Sequence, residues 1–275
     1  MYKIMPTVSE QERHQKAMPS SFLDVVVISL QSAHKRRQFI TSMMENTSLS
    51  WRFLDAHRSL ENTALQYDAA SAVRTSGAVF SQTHLGNYSS HFTAIQSFLE
   101  GTAEYLLVLE DDVLLDVSFP FEDFAAHCGK LGMDYVRLFG RYAAPARKIG
   151  FYKDRNMVRY QTSPLGCQAY LLTRRGAERM AQELRQVRDF IDIALDRFWE
   201  TQLPLYGIFP YPVIERYTPT QIPVASIGSG ISLKDKCCWY ALKMVEKARK
   251  ILGDYGLLTA DRRIRSNSGL FSQIH

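Results

Sequence analysis

Short uninterrupted apolar runs, separated by segments of helical periodicity, constrain this chain's fold more than any other feature. Asp24–Leu30, Trp51–Ala56, Tyr105–Leu109, Asp134–Phe139, Cys167–Leu172 and Leu205–Phe209 each read as a strand. A strand with one wet face alternates apolar and polar residues, so runs without alternation belong to strands covered on both faces. Residues 33–46, with Phe39, Ile40, Met43 and Met44 on one face, read as a helix. So does Thr83–Leu99, whose stripe of Tyr88, Phe92, Ile95 and Phe98 is stopped by Gly101. Phe121–Lys130, Arg174–Leu184 behind the cap Thr173, and Phe190–Glu200 complete the helical set. This order predicts an α/β fold with a mostly parallel central sheet. Residues 58–81 have weak periodicity and are expected to form a loop over a ligand, and 147–161 a hairpin around Lys153–Asn156. Pro210, Pro212, Pro219 and Pro223 keep 210–230 irregular.

The charge is unevenly placed. The chain has 275 residues, with 33 Lys and Arg against 28 Asp and Glu. Lys234–Arg265 holds nine basic and four acidic residues, which leaves the first 233 balanced at 24 against 24. A balanced body offers no basic face for nucleic acid, so that partner class is excluded. Three parts are expected: a polar N-terminal segment (1–22), an α/β domain (23–230) and a basic helical tail (231–275). The N-terminal segment lacks the apolar stretch of a secretory signal, and no run approaches the ~20 apolar residues of a membrane span. Cys128, Cys167, Cys237 and Cys238 show no zinc-type spacing, and adjacent Cys237 and Cys238 pair poorly as a disulfide, which points to a reducing, cytoplasmic setting.

The chemistry is carried by Glu110-Asp111-Asp112, which follows the buried run Tyr105–Leu109 directly. Ligands bind outside the carboxyl ends of strands in open α/β sheets. Three adjacent carboxylates repel one another, so solvent or a cation must stabilise them. All-oxygen donors suit Mg²⁺ or Mn²⁺, which typically bridge to phosphates, and a nucleotide diphosphate follows. A plain acidic turn is the simpler reading of the triplet. A dehalogenase-type phosphatase would need Asp where the chain has Glu110.

Several blocks in order resemble glycosyltransferase family 25, the bacterial lipooligosaccharide galactosyltransferase group to which the collagen galactosyltransferases are related. They are Val27–Leu30 with Arg36-Arg37, Phe53–Ala56, Leu85-Gly86 with Ser90-His91, Leu107–Asp112, Gly166 with Tyr170-Leu171, and Ile191-Asp192. His84 and Asn87 depart from the family's helix motif. The resemblance implies a GT-A-like nucleotide-sugar-binding sandwich and inverting transfer of a hexose, most simply galactose from UDP-galactose, to a glycan hydroxyl in lipooligosaccharide or lipopolysaccharide synthesis. The alternative is a noncatalytic glycan- or nucleotide-sugar-binding protein that keeps the fold.

Inversion requires a neutralised leaving diphosphate and a deprotonated acceptor hydroxyl. Asp112, with Glu110, is expected to hold Mn²⁺ or Mg²⁺, and Glu110 or Asp111 to contact ribose and donor sugar. Asp192 is the expected base, beside Phe190 and Ile191, whose apolar shell would strengthen it, although it could equally be a helix N-terminal acid. His91 is the other catalytic candidate, placed by resemblance at the nucleotide or metal site, or else a hydrogen-bonded structural histidine. Ser29, Arg36 and Asp55 end or follow the first two strands and could meet base, diphosphate and ribose, while Gly166 shapes the pocket floor. Tyr170 reads as core. Trp199, Tyr206 and Tyr211 are candidates for stacking acceptor sugars.

In the tail, Leu242, Val245, Ala248 and Leu252 share one helical face, with Lys243, Lys247, Arg249 and Lys250 mostly elsewhere. Such a helix suits an anionic membrane surface, the inner face of the cytoplasmic membrane in this setting; packing on the body is the other possibility.

Overall fold

The computed structural model describes residues 22–216, 227–228 and 231–267. Pro219, Pro223 and nearly all of the 1–22 segment lie outside them. The elements run β1 (Leu23–Ser29), α1 (His34–Met44), β2 (Trp51–Asp55), β3 (Gln66–Tyr67), α2 (Ala69–Ser76), α3 (Gln82–Glu100), β4 (Tyr105–Glu110), β5 (Val113–Leu115), α4 (Phe121–Leu131) and β6 (Tyr135–Arg137). They continue with β7 (Ala146–Tyr152), β8 (Arg155–Tyr160), β9 (Ala169–Thr173), α5 (Arg174–Glu183), β10 (Gln186–Val187), α6 (Ile191–Leu195), α7 (Phe198–Thr201), β11 (Tyr206–Phe209), β12 (Val213–Glu215), α8 (Leu233–Gly256) and α9 (Leu258–Asn267).

An eight-stranded sheet in the order β2-β1-β4-β9-β6-β11-β8-β7 is the centre of the molecule. β1 pairs parallel with β2 and β4, the expected β-α-β start. The rest is not mostly parallel. β9 inserts antiparallel between β4 and β6, and β8 runs antiparallel to both β11 and β7, so the sheet is mixed. Burial on both faces produces an apolar run whichever way a strand points, which is why strand direction could not be read from the runs. The β7–β8 hairpin turns where expected, with Lys153 at positive φ.

Residues of β1 alternate between the two faces of the sheet. Val26 and Ile28 enter the core under α3 and α5, while Leu23, Val25 and Val27 enter the one under α1 and α4. The 58–81 segment contains a helix, α2, in place of the expected loop. Asp68 caps it by accepting from the amides of Ala70 and Ser71, and Gly77 ends it in the left-handed conformation. Helix α3 begins with a capping box in which Ser81 and His84 satisfy each other's amides. Its apolar stripe is the predicted one.

The tail folds onto the body as α8 and α9. Trp239 packs on Gly77, where an added Cβ would lie 2.7 Å from the indole. Fully buried Arg159 of β8 donates to Asp261 of α9 at 2.7 and 2.8 Å and to Asp254 of α8 at 2.6 Å.

Candidate active site

The carboxyl ends of β1, β2 and β4 deliver Ser29, Asp55 and the acidic triplet to one rim, and β4's pleat sends the acids in different directions. Asp111 turns toward β1 and α1: the Ser29 hydroxyl donates to one of its oxygens at 2.7 Å and Arg36 Nη1 to the other at 2.8 Å. Both oxygens are used, so Asp111 ties α1 to the sheet. The Arg36 guanidinium also reaches Asp112 at 3.6 Å. Asp55 is exposed and ion-paired with Arg37, whose Nη2 also donates to the Ser29 carbonyl at 2.8 Å.

Glu110 turns the other way, toward α3 and the segment before β9. The Cys167 thiol donates to its Oε1 at 2.9 Å, and His91 Nε2 lies 3.3 Å from the same oxygen but too poorly aligned for a formed hydrogen bond. His91 is fully buried, its Nδ1 3.0 Å from the Tyr170 hydroxyl. Burial works against the Glu110 charge, yet the His91 ring and the thiol outweigh it and hold the carboxyl below its ordinary range. Burial, reinforced by Glu110, pushes the Cys167 thiol up.

Asp112 has the opposite environment. Its Oδ1 is buried with no hydrogen-bond partner among the described residues. Burial first, then repulsion from Glu110, raises its pKa from 3.8 to about 7 against the pull of Arg36. Glu215 of β12 adds to that repulsion. Its strand reaches the site by pairing with β5, Glu215 opposite Val113, and the Arg216 amide donates to the Asp112 carbonyl at 2.6 Å. Glu215 is held at 3.3 Å by Arg141 and by Gln168, whose own Oε1 is another buried oxygen with no partner among the described residues.

The floor is the segment before β9. Leu165 and Gly166 both have positive φ, and a Cβ on Gly166 would lie 2.4 Å from Gln168 Oε1 and 2.7 Å from the Phe139 ring. The Gly166 amide donates to Asp192 Oδ2 at 3.3 Å. Fully buried Arg137, ion-paired with Asp196 at 3.1 Å, fixes this segment by donating to the Leu165 carbonyl at 2.9 Å. Asp192 sits in the first turn of α6, close enough to Cys167 for its charge to help push the thiol up, and Cys167 in turn donates to Glu110.

The donor chemistry fits a divalent cation. Asp112 and Gln168 each carry a buried oxygen with no partner among the described residues, and each lies near Glu215, oxygen donors of the hard kind such a cation takes. The ligand atoms of His91, Glu110 and Cys167 lie within 4.8 Å of one another, a softer set, although both neighbours already serve to fix Glu110. A cavity of about 610 Å³ lies elsewhere, lined by Asp134, Arg175, Glu178 and Gln202 among others, and shares no residue with this cleft.

Of the sequence-expected residues, Ser29, Arg36, Glu110, Asp111 and Asp112 meet at the rim, and Gly166 and Asp192 close it. The aromatic expectation fails for two of three: Tyr206 is buried in the core and Trp199 lies under α8 at Gly253, so they form no common surface with Tyr211. Tyr211 lies against Gly140, its hydroxyl 2.3 Å from where a Cβ there would sit and hydrogen-bonded to the Tyr160 hydroxyl. Sequence reasoning missed Glu215, Cys167, Gln168 and Arg141. Glu215 carried a signal, since Val213-Ile214-Glu215 repeats the apolar-run-then-acid pattern of β2 and β4.

Residues 22–138 match the profile of "Glycosyltransferase family 25 (LPS biosynthesis protein)". Over that stretch the chain is similar to glycosyltransferase family 25. A Haemophilus influenzae protein described as "Putative glycosyltransferase" is 26% identical over 180 residues, 62% of this chain and 60% of that protein. The chain thus spans about 60% of the length of the curated relative it matches. The family 25 match covers β1 to β6, with Ser29, Arg36, Asp55, His91 and the triplet; Gly166, Asp192 and Glu215 lie beyond it and rest on geometry.

Proposed function

We propose that this protein is an inverting, metal-dependent glycosyltransferase that moves a hexose, galactose from UDP-galactose in the simplest case, to a glycan hydroxyl of a lipooligosaccharide-type acceptor. The observation that carries the reading is Asp112: a buried, unpartnered carboxylate oxygen among further acids, at the carboxyl end of a central strand inside the family 25 match. Mn²⁺ or Mg²⁺ held by Asp112, with Glu110 or Glu215 beside it, would supply the positive charge that a leaving diphosphate needs. Ser29 and Arg36 orient the β1 side of the donor pocket, and Asp55 stands where a ribose or base would reach it. Glu110, fixed by His91 and Cys167, faces the donor sugar, so His91 acts through Glu110 as a positioning residue.

Asp192 is the base of this reading. As the acceptor oxygen bonds to the anomeric carbon, its proton passes to the Asp192 carboxylate, and the bond from that carbon to the diphosphate oxygen breaks with its electron pair leaving on UDP. The Gly166 amide holds the carboxylate toward the cleft. The acceptor side also includes the expected contact with an anionic membrane. UDP release from UDP-galactose with Mn²⁺ and a glycan acceptor tests the reading, and Asp112→Asn should lower turnover sharply. Donor binding without transfer to any acceptor would indicate instead a binding protein that keeps the fold.

A further inference from the structure

Helix α8 is amphipathic in the inverted sense: its polar side faces the protein and its apolar side faces out. The inward side carries Glu246, ion-paired with Arg197 at 2.5 Å and Lys243 at 2.9 Å, and Asp254, ion-paired with Arg159 and Arg147. Asp261 of α9 is likewise spent on Arg159. The outward side carries Leu233, Tyr240, Met244 and Ile251, which are 78%, 63%, 68% and 49% exposed, with Tyr255 continuing the stripe. Their spacing of 7, 4, 7 and 4 keeps them on one face along a helix of 24 residues, about 36 Å long. Of the face expected from sequence, Val245 and Leu252 are exposed too and lie roughly a quarter turn from this stripe, while Leu242, 40% exposed, lies nearly opposite it. A helix whose apolar side merely packed on the body would show the reverse.

The charges beside this stripe are of one sign. Exposed Lys234, Lys247 and Arg249 have no carboxylate partner among the described residues; of the acids of α8, Glu246 and Asp254 are turned inward and Asp235 takes the Ser232 hydroxyl at the helix start, away from Lys247 and Arg249. We infer that the outward face of α8 lies in the headgroup layer of an anionic bilayer, its apolar side chains inserted and the flanking cations on lipid phosphates. Charge decides between this occupant and a second copy of the chain. Two such faces packed on each other would set Lys247 and Arg249 against their like with only Asp235, held by Ser232 at the helix start, to offset them, whereas an anionic lipid surface complements them. The inference deepens the membrane contact of the proposed function, yet its evidence is independent of sugar transfer.

The test uses the full chain with Cys238→Ser, labelled on exposed Cys237 of the same face with an environment-sensitive fluorophore; Cys128 and Cys167 are buried. Vesicles of phosphatidylcholine with about 30% phosphatidylglycerol should blue-shift the probe and co-sediment the protein, whereas phosphatidylcholine alone should not. Met244→Glu with Ile251→Glu should weaken sedimentation about tenfold or more and remove the shift, because two inserted side chains become charges. Both substitutions are outward, so the melting temperature should not move. Equal binding to neutral vesicles, or binding that survives the double substitution, overturns the inference. So does a dimer in light scattering that the substitutions dissolve, which would put a second copy on the face, or an unlabelled face made accessible only by deleting residues 1–21 or 268–275. Vesicle binding without UDP release would leave this inference standing and overturn the transferase.

Discussion

Asp112 is the residue on which folding and chemistry pull in opposite directions. Its folded carboxyl keeps a proton up to about pH 7, against 3.8 without the surroundings, so between these values the folded state binds more protons than the unfolded one. The contribution to stability is therefore complete below the unfolded value and is lost as pH rises through about 7. Cation-free protein should melt at a progressively lower temperature from pH 5 to pH 8. Asp112→Asn, which buries no charge, should reduce that slope to the part carried by Asp189, whose carboxyl burial raises to about 6, and Mn²⁺ at a fixed concentration should raise the wild-type melting temperature more at pH 8 than at pH 5, since it replaces the proton. Differential scanning fluorimetry across pH measures all three; a wild-type slope in Asp112→Asn would show that another group carries it. Glu110, two residues earlier, is the contrast: also buried, but with His91 and Cys167 to stabilise the charge.

At the scale of elements, the tail is held by charge pairs across a buried seam, and Arg159 is its centre. It is fully buried, with Asp254 and Asp261 as partners from two different helices. Replacing it by Met keeps the volume but leaves Asp261 buried without its cation, which costs roughly 3–5 kcal/mol. Urea unfolding of Arg159→Met should show a lower midpoint, and hydrogen exchange should be fastest in α8 and α9; unchanged protection there would mean that apolar contacts such as Trp239 on Gly77 suffice. None of these pairs was legible in the sequence. Composition showed nine basic against four acidic residues in the tail, but which charges turn inward depends on the rotation of α8 about its axis, and that is set by arginines about 50 to 100 positions earlier. Helix α2 was missed for a related reason. Ala69–Ser76 has mostly small side chains and little periodic contrast, so its only signals were the cap residues Asp68 and Gly77. Strands β1, β2 and β4 were legible to within a residue or two, because continuous apolar runs admit one reading.

Across the whole molecule, the cleft joins two halves of unequal legibility. The first half, β1 to β6, is the part that matches family 25 and supplies Ser29, Arg36, Asp55 and the triplet, each at a strand end or just after one. A strand end after an apolar run is a local signal, which is why these residues could be named in advance. The second half contributes Gly166, Asp192 and Glu215 through an antiparallel insertion, two positive-φ residues and a two-stranded edge pairing, and such long-range placement leaves little trace in sequence. The division has a kinetic consequence. If the first half binds donor and the second activates the acceptor, a substitution at Asp192 should spare donor binding. Asp192→Asn keeps the shape and the contact with the Gly166 amide but cannot accept a proton, so kcat should fall by about 10²–10⁴ with the donor KM within a factor of about two. Asp112→Asn should instead weaken donor binding and turnover together. Steady-state kinetics at several donor concentrations separates the two patterns. A rise in donor KM for Asp192→Asn as large as its fall in kcat would move Asp192 from the acceptor side to the donor pocket and leave the base to be sought elsewhere on the rim, with Glu215 the next carboxylate facing it.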